Sequence, residues 1–414
     1  MTPEKSLEKL GSMTAFFSDQ GSDLALQWLS TLFVAGISFL VSVMLARTLG
    51  VEGFGTYSYL LSLAGLFMIL QDGGYKTLLF RESIGGSGKR VLPLGIGHVF
   101  MMTLAGGGIV LLFQPQEWPT LLAAVFCMGM VALTEFVSSG LKGEGRFKLD
   151  ALWKGIIRIA TAATISWVIF FYKSDAPASI FLAWGLALLI VSCWPLVKGW
   201  LCRPVFRLRG DLIRANIAFL TIDVATIIYF RSDIVLLKYL GHELQDIGQY
   251  AVACRVLEGI ILLATPASQL AFRALRLRWL EGNGFPKLCA LLLGTMLLVA
   301  IIIVVLNAFW GEALILLVFG SSYIVAGGLF FWLSLSLIFL LPNYILTQSA
   351  IAMGCEKGYA WVALGTALLN IVLNLFWIPR FGVMGAVWST IAAEGCLFLG
   401  LGWILLGGWR SHKC

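Results

Sequence analysis

A small set of ionisable residues falls inside or beside the long apolar runs of this chain, and their types fix what chemistry is available. An ionised side chain near the centre of a bilayer costs about 2.5–3.5 kcal/mol on insertion scales, so each needs a partner or a task. The deepest are Asp72, Glu135, Asp223, Arg255, Glu258 and Glu394, while Arg47, Lys76, Arg158, Arg231 and Asp233 lie nearer the ends of their runs. Arg255 and Glu258 are three residues apart and share one helix face. They read either as an anion-binding arginine held by Glu258 until the anion arrives, or as an ion pair joining two helices. Glu394 has no opposite charge one turn away, and Glu135 reads the same way. Each is either a titrating group of the kind ion coupling requires, or a neutral acid making one interhelical hydrogen bond. Asp72 precedes Gly73-Gly74, where the helix can loosen, and can then pair with Lys76 or Arg81 as a gate or a fold clamp. Arg47, and Arg231 with Asp233, occupy corresponding ends of two spans, as a gate or as interface anchors. Lys76 and Arg158 can snorkel to the interface.

These residues must be carried by helices in lipid. The chain has 414 residues, is 59% hydrophobic and 12% charged, and has a mean hydropathy of +0.91. No water-soluble core needs so much apolar surface. The pattern predicts an all-α polytopic membrane protein with about twelve spans. These lie near 24–46, 56–79, 93–113, 119–140, 152–172, 179–198, 213–238, 248–271, 288–308, 325–350, 358–378 and 382–406. The apolar piece 312–320 is too short to cross and is expected at the interface or as a cap on a cavity. Pro195, Pro266 and Pro342 fall inside spans, where kinks are tolerated. The eight cysteines show no metal spacing and read as small apolar fillers.

The text repeats. LARTLGVEGFGTYSYLL (45–61) corresponds to IVLLKYLGHELQDIGQYAVACRVLE (234–258), pairing Leu49-Gly50 with Leu240-Gly241 and Gly55-Thr56-Tyr57 with Gly248-Gln249-Tyr250. SSGLKGEGRFKLDALWKG (138–155) and QSAIAMGCEKGYAWVALG (348–365) again occupy matching places. Six spans followed by six more place two lobes in the same orientation about a central cavity, residues 1–205 and 206–414, joined by the basic link 202–211. With the N-terminus inside, 23 of the 29 Lys and Arg fall on the inner side and five on the outer, with Arg255 within a span. That is the positive-inside pattern, with both termini cytoplasmic, and it accounts for the net charge of +7 without nucleic acid.

LARTLGVEGFGTYSYLLSL followed by QDGGYKTLLFRE resembles the opening of Wzx-type polysaccharide flippases, within the multidrug/oligosaccharidyl-lipid/polysaccharide exporter superfamily. RSDIVLLKYLG, IGQYAVACRV, FGSSYIVAGGLFFWL and LLNIVLNLFWIPRFGVMGAVWSTIAAE extend the resemblance over about residues 25–406. It implies two six-helix lobes around a cavity, alternating access, an inner-membrane location and a polyprenyl-diphosphate-linked oligosaccharide as cargo. It further implies H+ or Na+ as coupling ion and polysaccharide biosynthesis enzymes as partners. Arg255, Arg47 and Arg231 are then substrate ligands for the diphosphate or acidic sugars, and Glu394, Glu135, Asp72, Asp233 and Glu258 coupling or gating groups.

The three histidines are scattered, and no Walker-type loop is present, so catalysis, metal sites, cofactors and nucleotide hydrolysis have no support. A multidrug or metabolite exporter of the same superfamily is the alternative, and its cavity should be more apolar and acidic. A membrane polymerase or transferase would need a sizeable outer loop or an inner catalytic domain, and a channel would need a filter sequence.

Overall fold

The computed structural model describes residues 3–84, 86–113, 118–197, 203–206, 224 and 227–411; for 3–28, 113, 195–197, 263–270 and 409–411 it describes the backbone. Asp223, half of the seventh predicted span and most of the 202–211 link lie outside the described residues. Among the described residues every regular element is helical: α1 (Pro3–Asp72), α2 (Tyr75–Ile84), α3 (Gly88–Phe113), α4 (Trp118–Gly143), α5 (Phe147–Phe170) and α6 (Pro177–Val197). They continue with α7 (residues 227–239), α8 (Leu244–Leu280), α9 (Phe285–Phe319), a 3-10 turn (Ser321–Tyr323), α10 (Ile324–Ser334), α11 (Leu337–Met353), α12 (Glu356–Phe381) and α13 (Val383–Ser411).

Eight of these helices are long and apolar enough to cross a membrane, or nine if α10 and α11, bent by 47° at their junction, form one span. This falls short of twelve for physical reasons. The apolar part of α1, Leu29–Asp72, is a single helix of 44 residues by hydrogen bonding. At 1.5 Å per residue it is about 66 Å long, roughly twice the ~30 Å hydrocarbon core. It is broken at Gly50 (φ 68, ψ −178), a conformation that favours glycine, and each arm is of spanning length. α8 carries Arg255, Glu258, Arg273, Arg276 and Arg278 and is not among the eight.

The solvation pattern is that of lipid. Leu104, Leu112, Phe309 and Trp403 are exposed, whereas Ser334, Ser349, Asn370, Asn374 and Glu394 are buried. The chain is therefore an all-α multi-pass membrane protein.

Three sequence expectations change. The piece 312–320 is no separate element: it continues α9, with Ile315 and Phe319 buried in the main core and Glu312 packed over Gly327 of α10. The second predicted span stops at Asp72, because Gly73 and Gly74 both take positive φ and α2 restarts at Tyr75. Of the cysteines, 127, 193, 254, 289 and 396 are free, as apolar fillers would be, but Cys355 is disulfide-bonded.

One helix crossing organises the interior. α1 and α8 approach so closely that a Cβ on Gly55 would overlap the Leu244 carbonyl, and a Cβ on Gly248 would overlap the Val51 carbonyl. The contact is reciprocal between residues that the sequence repeat pairs. The glycines five and seven residues earlier in the two copies, Gly50 and Gly241, both adopt positive φ. Around this crossing Arg47 donates to Leu317 and Val318 carbonyls (2.6 and 2.8 Å), and the Tyr323 hydroxyl donates to Ala46 O (2.8 Å). Helices from both halves of the chain are thereby tied at the Gly50 end.

Candidate functional site

Below the crossing lies a cavity of about 380 Å³ walled by α1, α4, α5, α6, α7 and α8. Three guanidinium groups line it: Arg158 of α5, Arg231 of α7 and Arg255 of α8. Ser38, Ser42 and Thr161 add hydroxyls, and Tyr57, Met68 and Trp184 add apolar wall. Glu258 lies one turn along α8 from Arg255 and accepts from its Nη1 at 2.7 Å. It also sits 3.9 Å from Arg231, so one carboxylate holds two arginines from two helices. These side chains keep 20–30% of their surface accessible, enough for an incoming anion to reach them. Among the described residues Arg158 has no ion-pair partner, so the cavity wall carries an excess of positive charge.

Arg158 was not singled out by the sequence, because it lies close enough to a span end to snorkel. The one available signal was its position one turn after Lys154. A second cavity of about 230 Å³ shares Val131, Arg158 and Trp184 with the first and is lined further by Lys154, Glu135 and Ser138. The two cavities meet at Arg158. Glu135 is not isolated: its Oε2 pairs with Lys76 Nζ at 3.3 Å, joining α2 to α4. Nearby Asp150, buried, accepts from Ser138 and lies 3.3 Å from Lys154 and 4.0 Å from Lys142. Asp72 accepts the Gly74 N–H at 3.2 Å and so caps the break between α1 and α2.

Arg47 is displaced from the expected set. It does not line the arginine cavity; its bonds to the last carbonyls of α9 place a cation at that helix's negative end. These contacts match the interface-anchor reading of Arg47 and not the substrate-ligand one. Arg47→Ala should cost about 0.5–2 kcal/mol of stability, read as the midpoint of unfolding in detergent, while binding to the arginine cavity stays unchanged.

Two carboxylates sit among neutral donors in α7–α13. Asp233 accepts from Tyr250 (2.9 Å), Asn374 (2.6 Å) and Thr390 (3.1 Å), with Asn370 bridging Asn374 and Ser232. Glu394 accepts from Tyr229 (2.6 Å) and Asn343 (2.7 Å). Neither has a cationic partner among the described residues. The paired asparagines Asn370 and Asn374 therefore hold an acid as well as joining helices.

The described helices form a membrane bundle with a cationic interior cavity. The profile of the family described as "Polysaccharide biosynthesis protein" matches residues 22–272, and the chain belongs to that family. In sequence it is 22% identical over 385 residues to the "Probable low-salt glycan biosynthesis flippase Agl15" of Haloferax volcanii, covering 88% of this chain and 78% of that protein. In fold it is similar to "Lipid II flippase MurJ, inward closed conformation", with a TM-score of 0.71 at 17% identity over 92% of this chain and 87% of that one. It is also similar to an outward-facing multidrug resistance MATE family transporter of the MOP superfamily, with a TM-score of 0.62 at 12% identity, covering 95% and 96%. The chain is thus a member of a polysaccharide-biosynthesis family with the fold of these membrane transporters.

Proposed function

We propose that the chain flips a polyprenyl-diphosphate-linked oligosaccharide across the cytoplasmic membrane for polysaccharide biosynthesis. The observation that carries this reading is the cavity lined by Arg158, Arg231 and Arg255. A diphosphate offers bidentate acceptors to guanidinium forks and can displace Glu258, which occupies the same two arginines in its absence. Lys154 and Arg158, one turn apart on α5, mark the route by which the head group enters through the second cavity.

The mechanism is alternating access of two six-helix lobes, residues 1–205 and 206–414, with twelve crossings when the two arms of α1, the seventh span that ends in α7, α8 and the bent pair α10–α11 all count as spans. The Gly55–Gly248 crossing is the outer closure, and both termini are cytoplasmic, in keeping with the 23-to-5 bias of basic residues. Asp233 and Glu394 supply coupling to H+ or Na+, since a buried acid held only by neutral donors can exchange its counter-ion without dismantling a salt bridge. Lipid of the bilayer accommodates the polyprenol, and biosynthetic enzymes consume the flipped product.

Binding of farnesyl diphosphate to the detergent-solubilised protein tests the site. Arg158→Gln should weaken binding at least ~10-fold, about 1.4 kcal/mol, without altering the unfolding midpoint, because Arg158 has no ion-pair partner among the described residues. Unchanged affinity in Arg158→Gln would refute the assignment of this cavity. Topology is read with single cysteines in a cysteine-depleted background: one at Asp175 should react with an impermeant thiol reagent from outside, and one at Gly145 should not.

A further inference from the structure

A cavity of about 280 Å³ lies among α7, α11, α12 and α13 and shares no lining residue with the arginine cavity. Its wall joins one carboxylate, Glu394, to four aromatic rings, Tyr229, Phe230, Tyr344 and Tyr359. Among the described residues no Lys, Arg or His lines it.

The hydrogen-bonding inventory is lopsided. Tyr229 donates to Glu394 Oε1, and the Asn343 amide nitrogen is directed at Glu394 twice, at Oε2 (2.7 Å) and at the backbone carbonyl (3.0 Å). Those donors are spent on the acid. The other end of the same amide, Asn343 Oδ1, is buried and accepts from nothing among the described residues, on a side chain that lines the cavity. What remains is a negative charge and an unfilled acceptor beside it, and buried acceptors of this kind are ordinarily satisfied. The missing occupant must therefore bring positive charge together with polarised hydrogens.

Size and lining narrow its class. A proton or a bare ion would leave most of the space empty, since a water molecule claims only about 30 Å³. It would also make no use of the rings. Aromatic faces attract cations whose charge is spread over C–H or N–H groups, and they do so best where water is excluded. We propose that this cavity is a binding site for a small organic ammonium ion, with Glu394 as counter-ion, Asn343 Oδ1 as acceptor and the aromatic rings as its walls. This goes beyond the flipping of an anionic lipid-linked cargo and does not rest on it: the two cavities have opposite charge, and with Glu394 engaged by the ammonium ion the coupling role falls to Asp233.

The test uses the full chain in detergent and two probes of the same shape, choline and the uncharged 3,3-dimethylbutan-1-ol, titrated calorimetrically. Choline should bind and the alcohol should not. Glu394→Gln should weaken choline binding at least tenfold, while Arg47→Ala leaves it unchanged. Ala363→Trp keeps the carboxylate but fills the space and should abolish binding, so the question is decided even if Glu394→Gln fails to fold. Equal responses to choline and the alcohol, or choline binding that survives Ala363→Trp, would overturn the proposal. Because no lipid-linked glycan enters the assay, its failure leaves the flippase reading untouched, and the reverse also holds.

Discussion

Replacing Gly55 or Gly248 by valine should hold the α1–α8 crossing apart and abolish transport. Neither position has room for a Cβ, because the opposing atom is a main-chain carbonyl that cannot rotate away. Overpacking of this kind costs about 1–3 kcal/mol, which shifts the balance between closed and open arrangements roughly 5- to 150-fold. The readout is a single cysteine at Leu61, which lines the arginine cavity and is buried. It should resist an impermeant reagent added outside in the glycine background and react in the Gly55→Val background. Protection in both backgrounds, with transport intact, would show that the crossing does not close the cavity.

The second large effect is expected at Arg255. Removing one partner of a buried ion pair costs about 3–5 kcal/mol. Arg231 remains 3.9 Å from Glu258, and both side chains are partly accessible, so the lower end applies. Arg255→Gln should therefore destabilise the protein by roughly 3 kcal/mol or less and lower transport of lipid-linked cargo at least ~100-fold, about 2.7 kcal/mol. Arg255→Lys keeps the charge without the planar fork and should recover part of the transport. The double variant Arg255→Gln with Glu258→Gln separates the roles. It should regain the unfolding midpoint but not transport. Recovery of both would make the pair a structural brace between α7 and α8.

How much of this could be read from sequence follows from the range of each interaction. The Arg255–Glu258 pair was legible because three residues on a helix fix proximity. The special glycines were legible because the repeat pairs them, although only the structure reveals that Gly55 and Gly248 face each other. Glu135 read as isolated since its partner, Lys76, is on another helix, beyond any one-turn search. Arg47 and Arg231 read as equivalent because both lie near span ends; tertiary packing sends one to the α9 carbonyls and the other into the cavity. The run 312–320 read as separate because Gly311-Glu312 interrupts the apolar pattern. Packing overrides that interruption: Asn307 donates to Phe330 O and Glu312 lies over Gly327, fastening α9 to α10 through the polar stretch. Arg158 was passed over because snorkelling is a sufficient explanation for a single arginine near an interface. The acceptor left open on Asn343 has no sequence signature at all.

The central claim is tested most directly by sidedness in liposomes. The purified protein is reconstituted with a fluorescent polyprenyl-diphosphate oligosaccharide, and an impermeant glycosidase added outside reports the fraction of head groups that reach the outer leaflet. The account expects the cleavable fraction to rise from about half, the share of an unflipped symmetric bilayer, towards completion with wild type, and to remain near half with Arg255→Gln in the correctly folded double variant. A cleavable fraction that stays near half with wild type under imposed H+ and Na+ gradients alike would contradict it.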